Sequence, residues 1–472
     1  MSRAAAPQIS FADLEFIHQR IQLEPPLRAI AGFLDTHASL VDGVRRDLDR
    51  GLKHPATGRH GVTAPQVLRS LILMRVKNWD YRELRERIAD GYTLRHFTQF
   101  ESQRVPKHDA FNRAFNRLTP DTLRAVNDAV VHAAVVLGLE DGAKLRVDTT
   151  VVETDIHHPT DNTLLWDSVR VLTRLVRHLD DLLPMGVGPF TNRTRAARRR
   201  MYEIQRMTTK ERHTQQVPTY RALIKVAEQV VTDARAVVVR THGADRDLTT
   251  RVAIEALQRE ITRHCELGDR VISQTRRRVV QGEQVSTDEK VYSIFEPHTD
   301  LIKRGKVLKP IEFGHKVFLA ESGHRLITQY CVLTGNPADQ IHVAPSLKHH
   351  TEAFGHVPNL YSSDRGFFND ANLAACKTAG VTLTCIPQAG GKRSAEREAF
   401  EKSPAFKQGQ RFRAGIEGRI SVLFRGRGMK RALVEGREPF ELLVGAAVLA
   451  NNLMVIADLL RRKHARRRPA AA

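Results

Sequence analysis

The sequence predicts an α/β protein: a mixed sheet flanked by helices, with a helical N-terminal region before it and a long, mainly helical insertion after its first strand. Three observations lead there. Apolar residues recur at three- and four-residue intervals through the first 140 positions, the period of helices with one buried face. A β-branched run, Lys144-Leu145-Arg146-Val147-Asp148-Thr149-Thr150-Val151-Val152, then breaks that habit, because valine and threonine favour a pleated strand. From about residue 290 short strand-like runs alternate with helical stretches, as in one sheet covered by helices.

The chain has 472 residues, enough for more than one domain. Its 74 Lys and Arg against 53 Asp and Glu leave a net charge of +21, a standing attraction for a polyanion, with nucleic acid first and an anionic membrane second. No apolar run reaches the roughly 18 residues of a membrane-spanning helix. The longest, 442–456, is interrupted by Asn451 and Asn452, and the early Asp13, Glu15 and Glu24 do not read as a signal peptide. The expected setting is cytoplasmic, without a membrane partner. Cys265, Cys331, Cys376 and Cys385 form no C-x-x-C. Cys331 and Cys385 lie in apolar strand-like runs and are expected as buried, reduced thiols. The pairs His157-His158 and His349-His350 lack zinc-site spacing.

Taken in order, residues 1–140 read as one helical region, with the helical period at 11–20 and 27–50. In 63–100, Thr63-Ala-Pro-Gln opens a helix whose stripe is Val67, Leu68, Leu71, Ile72 and Met74, and Asn78-Trp79 break it. Asp80 caps a second helix, and Glu83 three residues on completes a capping box. Leu84 and Ile88 form the buried face of this second helix; Arg82, Arg85 and Arg87 form a basic one. The pair suits a helix-turn-helix that reads DNA, and equally an ordinary helical hairpin. Helices at 111–118 and 121–137 follow.

In the strand at 144–152, alternation sets Asp148 on one face with Arg146 and Thr150, opposite Val147, Thr149 and Val151. A carboxylate in mid-strand is costly to bury unless it is hydrogen-bonded or holds a cation; a turn-capping Asp at a strand end is the simpler alternative. Residues 155–310 form the insertion: a polar loop at 155–162, an amphipathic helix at 164–183, an intensely basic run at 193–212, and helices at 220–240 and 247–267. The basic run suits a solvated helix face or a phosphate backbone, with Arg198, Arg199 and Arg200 as candidates for the latter.

Strands are expected at 292–295, 316–320 and 326–334, and Pro337-Ala338-Asp339 opens a helix running towards His350. A strand from 359 ends at Asp364 in a turn at Gly366; a small helix follows, ended by Gly380, and then a strand at 381–386. Residues 388–411 read as a polar segment leading into a helical region with Glu417, a basic loop at 425–431, an apolar helix at 439–460 and a basic tail. The expected division is 1–140, a core of 141–154 with 311–460, the insertion 155–310, and the tail 461–472.

Asp148, Asp364 and Glu417 thus come from separate elements. Three acids meet only against mutual repulsion unless a multivalent cation resides among them. Oxygen ligands select Mg²⁺ or Mn²⁺, and two such ions about 4 Å apart suit a phosphodiester under attack. Taken singly, Glu417 also reads as a surface acid paired with Arg413 at i,i+4, and Asp364 as the residue that shapes the turn before Gly366.

With Asp364-Arg-Gly-Phe and Arg413-x-x-x-Glu417 around it, the triad resembles the DDE transposases of bacterial insertion sequences. Phe295-Glu-Pro-His-Thr-Asp300-Leu-Ile-Lys-Arg-Gly-Lys306, Phe313-Gly-His-Lys-Val and Gly335-Asn-Pro-Ala-Asp339 resemble the ISNCY-type group in particular, the similarity reaching to about residue 457. The resemblance implies an RNase H-like core with the first Asp on the first strand, the second after the fourth and the Glu on a late helix. Asp148, Asp364 and Glu417 would then be the catalytic residues and the ligands of two Mg²⁺ (or Mn²⁺) ions. It further implies cleavage and joining of terminal inverted repeats, double-stranded end and target DNA as partners, a homo-oligomer on DNA, and a bacterial, nucleoid-associated setting. Arg413, Arg419 and Arg425 are candidates for holding phosphates near the metals, and Arg82 and Arg85 for DNA contact by the N-terminal region.

Two positions depart from the pattern. Related transposases often have Tyr before the Arg-x-x-x-Glu motif and Lys seven residues after its Glu; here Phe412 and Phe424 stand there, with Arg425 next. Asp300 and His315 are motif residues without a derivable role. A nuclease of the same fold that cuts without joining, or a DNA-binding protein without turnover, fits the same residues.

Overall fold

The computed structural model describes residues 22–53, 61–243, 247–303 and 310–467. The helix expected at 11–20 and the end of the basic tail lie outside them. The chain divides into two compact units, Met1–Glu153 with Lys316–Ala472, and Thr154–His315.

The first unit opens with α1 (Pro25–Thr36), α2 (Asp42–Asp49), α3 (Ala64–Lys77), α4 (Tyr81–Asp90), α5 (Tyr92–Thr98), α6 (His108–Phe115) and α7 (Pro120–Val136). Thr63 and Gln66 form the reciprocal cap of α3, which ends at Asn78 in the left-handed region, φ 56°. Asp80 accepts hydrogen bonds from the Arg82 and Glu83 amides, but Glu83 turns along α4 to Arg87, 3.4 Å away. Only the Asp80 half of the expected capping box is made. Strand β1 (Lys144–Thr154) follows and leads into the second unit.

That unit is built from α8 (Asp161–Leu182), α9 (Thr194–Arg206), α10 (Thr209–Thr241) and α11 (Leu248–Thr275), around an apolar core of its own that includes Leu172, Leu223, Val230, Ile261 and Val271. Thr208 and Glu211 form a capping box that splits the basic run into two helices. The strand expected at 292–295 is a turn instead: the Ser293 hydroxyl accepts from the Phe295 and Glu296 amides, a local bond that competes with a ladder. Strand β2 (Asp300–Lys303) pairs antiparallel with the opening residues of β3 (Ile311–Ser322), Asp300↔Gly314 through Lys303↔Ile311.

Back in the first unit come β4 (Ile327–Val332), α12 (Val343–Phe354), β5 (Leu360–Ser362), α13 (Asp370–Ala379), β6 (Leu383–Cys385), α14 (Ala395–Lys402), α15 (Pro404–Gly426), β7 (Arg431–Ala432) and α16 (Arg437–Arg467). The polar segment expected at 388–411 is therefore largely helical. Ser394 and Ser403 cap its two helices, and i,i+4 pairs such as Lys402–Glu398 and Arg397–Glu401 support the first. Residues 461–467 of the tail continue α16. Cys331, expected buried, is exposed on β4, while Cys385 is buried; among the described strands β4 pairs with β3 alone, and alternation turns Cys331 outward.

The strands of this unit run in the order β4-β3-β1-β5-β6, with β7 also beside β1. β3 and β4 are antiparallel, whereas β1–β5 and β5–β6 are parallel. One face packs Val152, Val317 and Leu319 against Ile416 and Leu423 of α15 and Val444 and Val448 of α16. The other packs Leu145, Val147 and Tyr361 against Val343 and Leu347 of α12 and Cys376 of α13. By length and composition α16 could cross a membrane, yet 78% of its apolar window is buried inside the protein. There it packs against the N-terminal helices, and Asn452 meets both backbone groups of Ile327.

Candidate active site

Strands β1 and β5 bring the two aspartates together. Their parallel register runs Lys144↔Leu360, Leu145↔Tyr361, Arg146↔Ser362; carried two residues on, it sets Asp148 beside Asp364. Asp364 follows the carboxyl end of β5, where open sheets collect function, and Asp148 lies in mid-strand, two residues past the last β1–β5 pair. Asp148 is buried. Its Oδ1 accepts from the Thr149 amide at 2.8 Å and its Oδ2 from Arg413 Nη2 at 2.9 Å. Asp364 Oδ1 accepts from the Gly366 amide at 2.8 Å.

The third acid arrives on α15. Glu417 lies one turn after Arg413 and accepts from its Nη1 at 3.0 Å, while Arg413 Nη2 lies 3.8 Å from Asp364 Oδ2. One guanidinium thus lies within 4 Å of all three carboxylates. The acids differ in exposure: the Asp148 side chain is 11% exposed, Asp364 38% and Glu417 67%, a gradient from the sheet to solvent. Burial pushes the Asp148 carboxyl up to about 6; Arg413 opposes that, while Asp364 and Asp339 add to it.

The surrounding residues fix α15 over the sheet. Glu321 on β3 is fully buried; its Oε2 accepts from Arg146 Nε at 2.8 Å and its Oε1 from Arg419 Nε at 3.0 Å. Arg146 also donates to the Phe412 carbonyl and lies over the Phe412 ring, 4.7 Å from its centroid. Any side chain at Gly415 would overlap the Arg146 guanidinium, so this close approach requires glycine.

Of the basic residues singled out from the sequence, Arg413 meets the acids, and Arg419 is committed to Glu321 and to Asn451, 2.9 Å away. Arg425 is exposed in the last turn of α15 and donates to Ser421 Oγ. Arg82 and Arg85 are exposed on α4. In the other unit Arg198 and Arg199 are exposed on α9 and Arg200 is half-buried; Glu203 lies 3.6 Å from Arg199 and 3.3 Å from Arg200, and Arg198 lies over Tyr202. Asp300 and His315 belong to a hydrogen-bonded row in that unit: Glu296–His298 at 2.6 Å, His298–His315 at 2.7 Å and His315–Asp300 at 2.9 Å.

Sequence reasoning misses Asp339 and Lys316. It gives Asp339 only the opening of a helix, yet this residue receives Thr149 Oγ1 at 3.0 Å and Lys316 Nζ at 2.7 Å. Its place in the Gly335-Asn-Pro-Ala-Asp339 motif is the signal that marks it. Asp148, Asp364 and Glu417 are joined through Arg413, whereas among the described residues the group whose ligand atoms all lie within 4.8 Å of one another is Glu140, Asp141 and His324. There Glu140 already accepts from the Asp141, Gly142 and His324 amides and the Ser322 hydroxyl, which makes it a clasp between chain segments.

The donor set around Arg413 is hard oxygen from three carboxylates, which suits Mg²⁺ or Mn²⁺. The guanidinium supplies positive charge among the three carboxylates, and among the described residues its buried Nε has no hydrogen-bond partner, so Arg413 is not fully satisfied there.

Residues 15–117 match the family described as Transposase domain (DUF772), which supports a transposase family. The matched segment spans α1–α6 and includes Arg82 and Arg85; the three acids lie outside it. No curated protein and no solved structure matches the chain.

Proposed function

We propose that the protein is a DDE transposase of the ISNCY-type group, cleaving insertion-sequence DNA ends and transferring them to target DNA. The observation that carries this reading is the meeting of Asp148, Asp364 and Glu417, from three separate elements, around one guanidinium. The strand order β4-β3-β1-β5-β6, with an antiparallel pair on one side of β1 and parallel pairs on the other, supports an RNase H-like core. The transposase-domain match and the +21 net charge point the same way.

Asp148, Asp364 and Glu417 would hold the metal ions. Bound Mg²⁺ supplies charge neutralisation at the scissile phosphate and acidifies water. Cleavage hydrolyses the phosphodiester at the element's end and leaves a 3′-hydroxyl; joining is attack of that hydroxyl on a target phosphodiester, releasing a target 3′-hydroxyl. The chain's own work is positioning and charge. The β1–β5 register sets two carboxylates side by side, and α15 sets the third. Arg413 exchanges its carboxylate partners for a DNA phosphate, as guanidinium groups readily pair with phosphate oxygens. Arg425, Arg82, Arg85 and the α9 arginines contribute backbone contacts.

A strand-transfer assay on precut ends tests the joining step. Covalent joining of a labelled end to target DNA in Mg²⁺ is expected. Cleavage of uncut ends without any joining of precut ones would make the protein a nuclease, and DNA binding with neither would make it a binding protein.

A further inference from the structure

We propose that Asp339 is a positioning residue of the acidic site, holding Thr149 and, through it, Asp148; this rests on the reading of that site as a metal-binding catalytic centre. Asp339 begins a short 3₁₀ turn after β4 and reaches back to the sheet. Its Oδ1 receives the Thr149 hydroxyl at 3.0 Å and the Lys316 ammonium at 2.7 Å, and Lys316 also donates to the Pro337 carbonyl at 2.9 Å. The Asp339 carboxylate therefore ties its own turn to β1 and to β3.

Two bonds of Thr149 bear on the site. Its hydroxyl is on Asp339, and its amide donates to Asp148 Oδ1 at 2.8 Å. Moving the first displaces the second, because both groups belong to one residue of a pleated strand whose faces alternate. Asp148 then presents its remaining oxygen, Oδ2, to Arg413.

Asp339 also borders the second aspartate. A Cβ at Gly366 would lie 3.1 Å from Asp339 Oδ2 and 3.1 Å from Asp364 Oδ1. The two carboxylates flank the same glycine, so a side chain there would press on both. The Lys316 side chain is 11% exposed and needs a counter-charge, but a purely structural pair has no need to stand between two other acids. Partners that orient metal ligands typically cost about 10- to 100-fold in metal affinity when removed.

The test is a Mn²⁺ titration of the full-length protein, with free Mn²⁺ followed by its electron paramagnetic resonance signal, for wild type, D148N, D339N, T149V and D339N/T149V. D148N is expected to abolish the site. D339N and T149V are each expected to weaken it by about 10- to 100-fold, with the double variant no weaker than D339N because both act on one path. Thr149→Val preserves shape and leaves Lys316 paired, so it decides the matter if D339N does not fold. Wild-type affinity in D339N and T149V, with the site lost in D148N, overturns the role of Asp339 and leaves the centre standing. Additive losses in the double variant overturn the route through Thr149. Unchanged affinity in D148N overturns the reading of the centre itself.

Discussion

Asp148 is where burial and charge oppose each other most directly. Its carboxyl is raised from 3.8 to about 6 by burial, so the fold prefers it protonated. The contribution to stability is complete below the unfolded value and is lost as pH rises through about 6. In metal-free protein the unfolding free energy is expected to fall between about pH 4 and 7 relative to D148N, by about 1.4 kcal/mol for each pH unit that separates the folded and unfolded values. Urea melts of both proteins across that range check it, and parallel curves would contradict it. Metal requires the ionised form, so stabilisation by Mn²⁺ should be larger at pH 7.5 than at pH 5. Arg413 gives a second expectation. Because it competes for the same oxygens, R413Q should bind Mn²⁺ several-fold tighter than wild type without DNA and should bind end DNA more weakly. Isothermal titration decides this, and weaker Mn²⁺ binding would contradict the exchange.

Helix α15 matters through its anchoring as much as through its acid. Glu321 receives Arg146 from β1 and Arg419 from the helix, and all three are largely removed from water. Breaking a buried pair on one side leaves uncompensated charge worth about 3–5 kcal/mol, so E321Q is expected to lose that much stability in urea denaturation. A change within experimental error would show that Arg146 and Arg419 find other partners. The elements legible in the sequence are those with local signals. Thr63 and Gln66 mark the start of α3, and the β-branched run marks β1. The polar segment before Glu417 is not legible as helix, because its glycines and charges mimic a loop while Ser394, Ser403 and i,i+4 pairs stabilise α14 and α15. Residues 292–295 fail in the opposite direction: Ser293 is bonded to its own backbone neighbours, and β propensity does not register that. Arg419 illustrates the same limit, since nothing local reveals a partner 98 residues away.

At the scale of the whole molecule, the acids and the densest basic run belong to different compact units: Asp148, Asp364 and Glu417 to the first, Arg198, Arg199 and Arg200 to the second. Separate removal should therefore have separable effects. R198E/R199E is expected to weaken DNA binding and flatten its salt dependence by about 0.9 in slope for each phosphate that is no longer neutralised, without changing Mn²⁺ affinity. Fluorescence anisotropy at several salt concentrations measures the first and the Mn²⁺ titration the second. An unchanged slope would leave α9 as a solvated face. The α/β class and the order of the elements are legible because they follow from periodicity. The match of the Asp148–Asp364 spacing with the β1–β5 register is not, because a sequence does not state which strands pair. The contact of Asp339 with Thr149, 190 residues away, stays hidden for the same reason, although its motif marks the residue.

If three carboxylates from β1, the turn after β5, and α15 form one metal-dependent centre that cuts DNA, each of them is indispensable to cleavage. Mg²⁺-dependent cleavage of a labelled duplex carrying the element's ends, by wild type and by D148N, D364N and E417Q, measures this without intermediaries. Wild type should cleave to a 3′-hydroxyl, each variant should lose that activity by a factor of about 10³ or more (~4 kcal/mol), and all three should retain end binding. Cleavage at the wild-type rate in any one of the variants would contradict a shared centre.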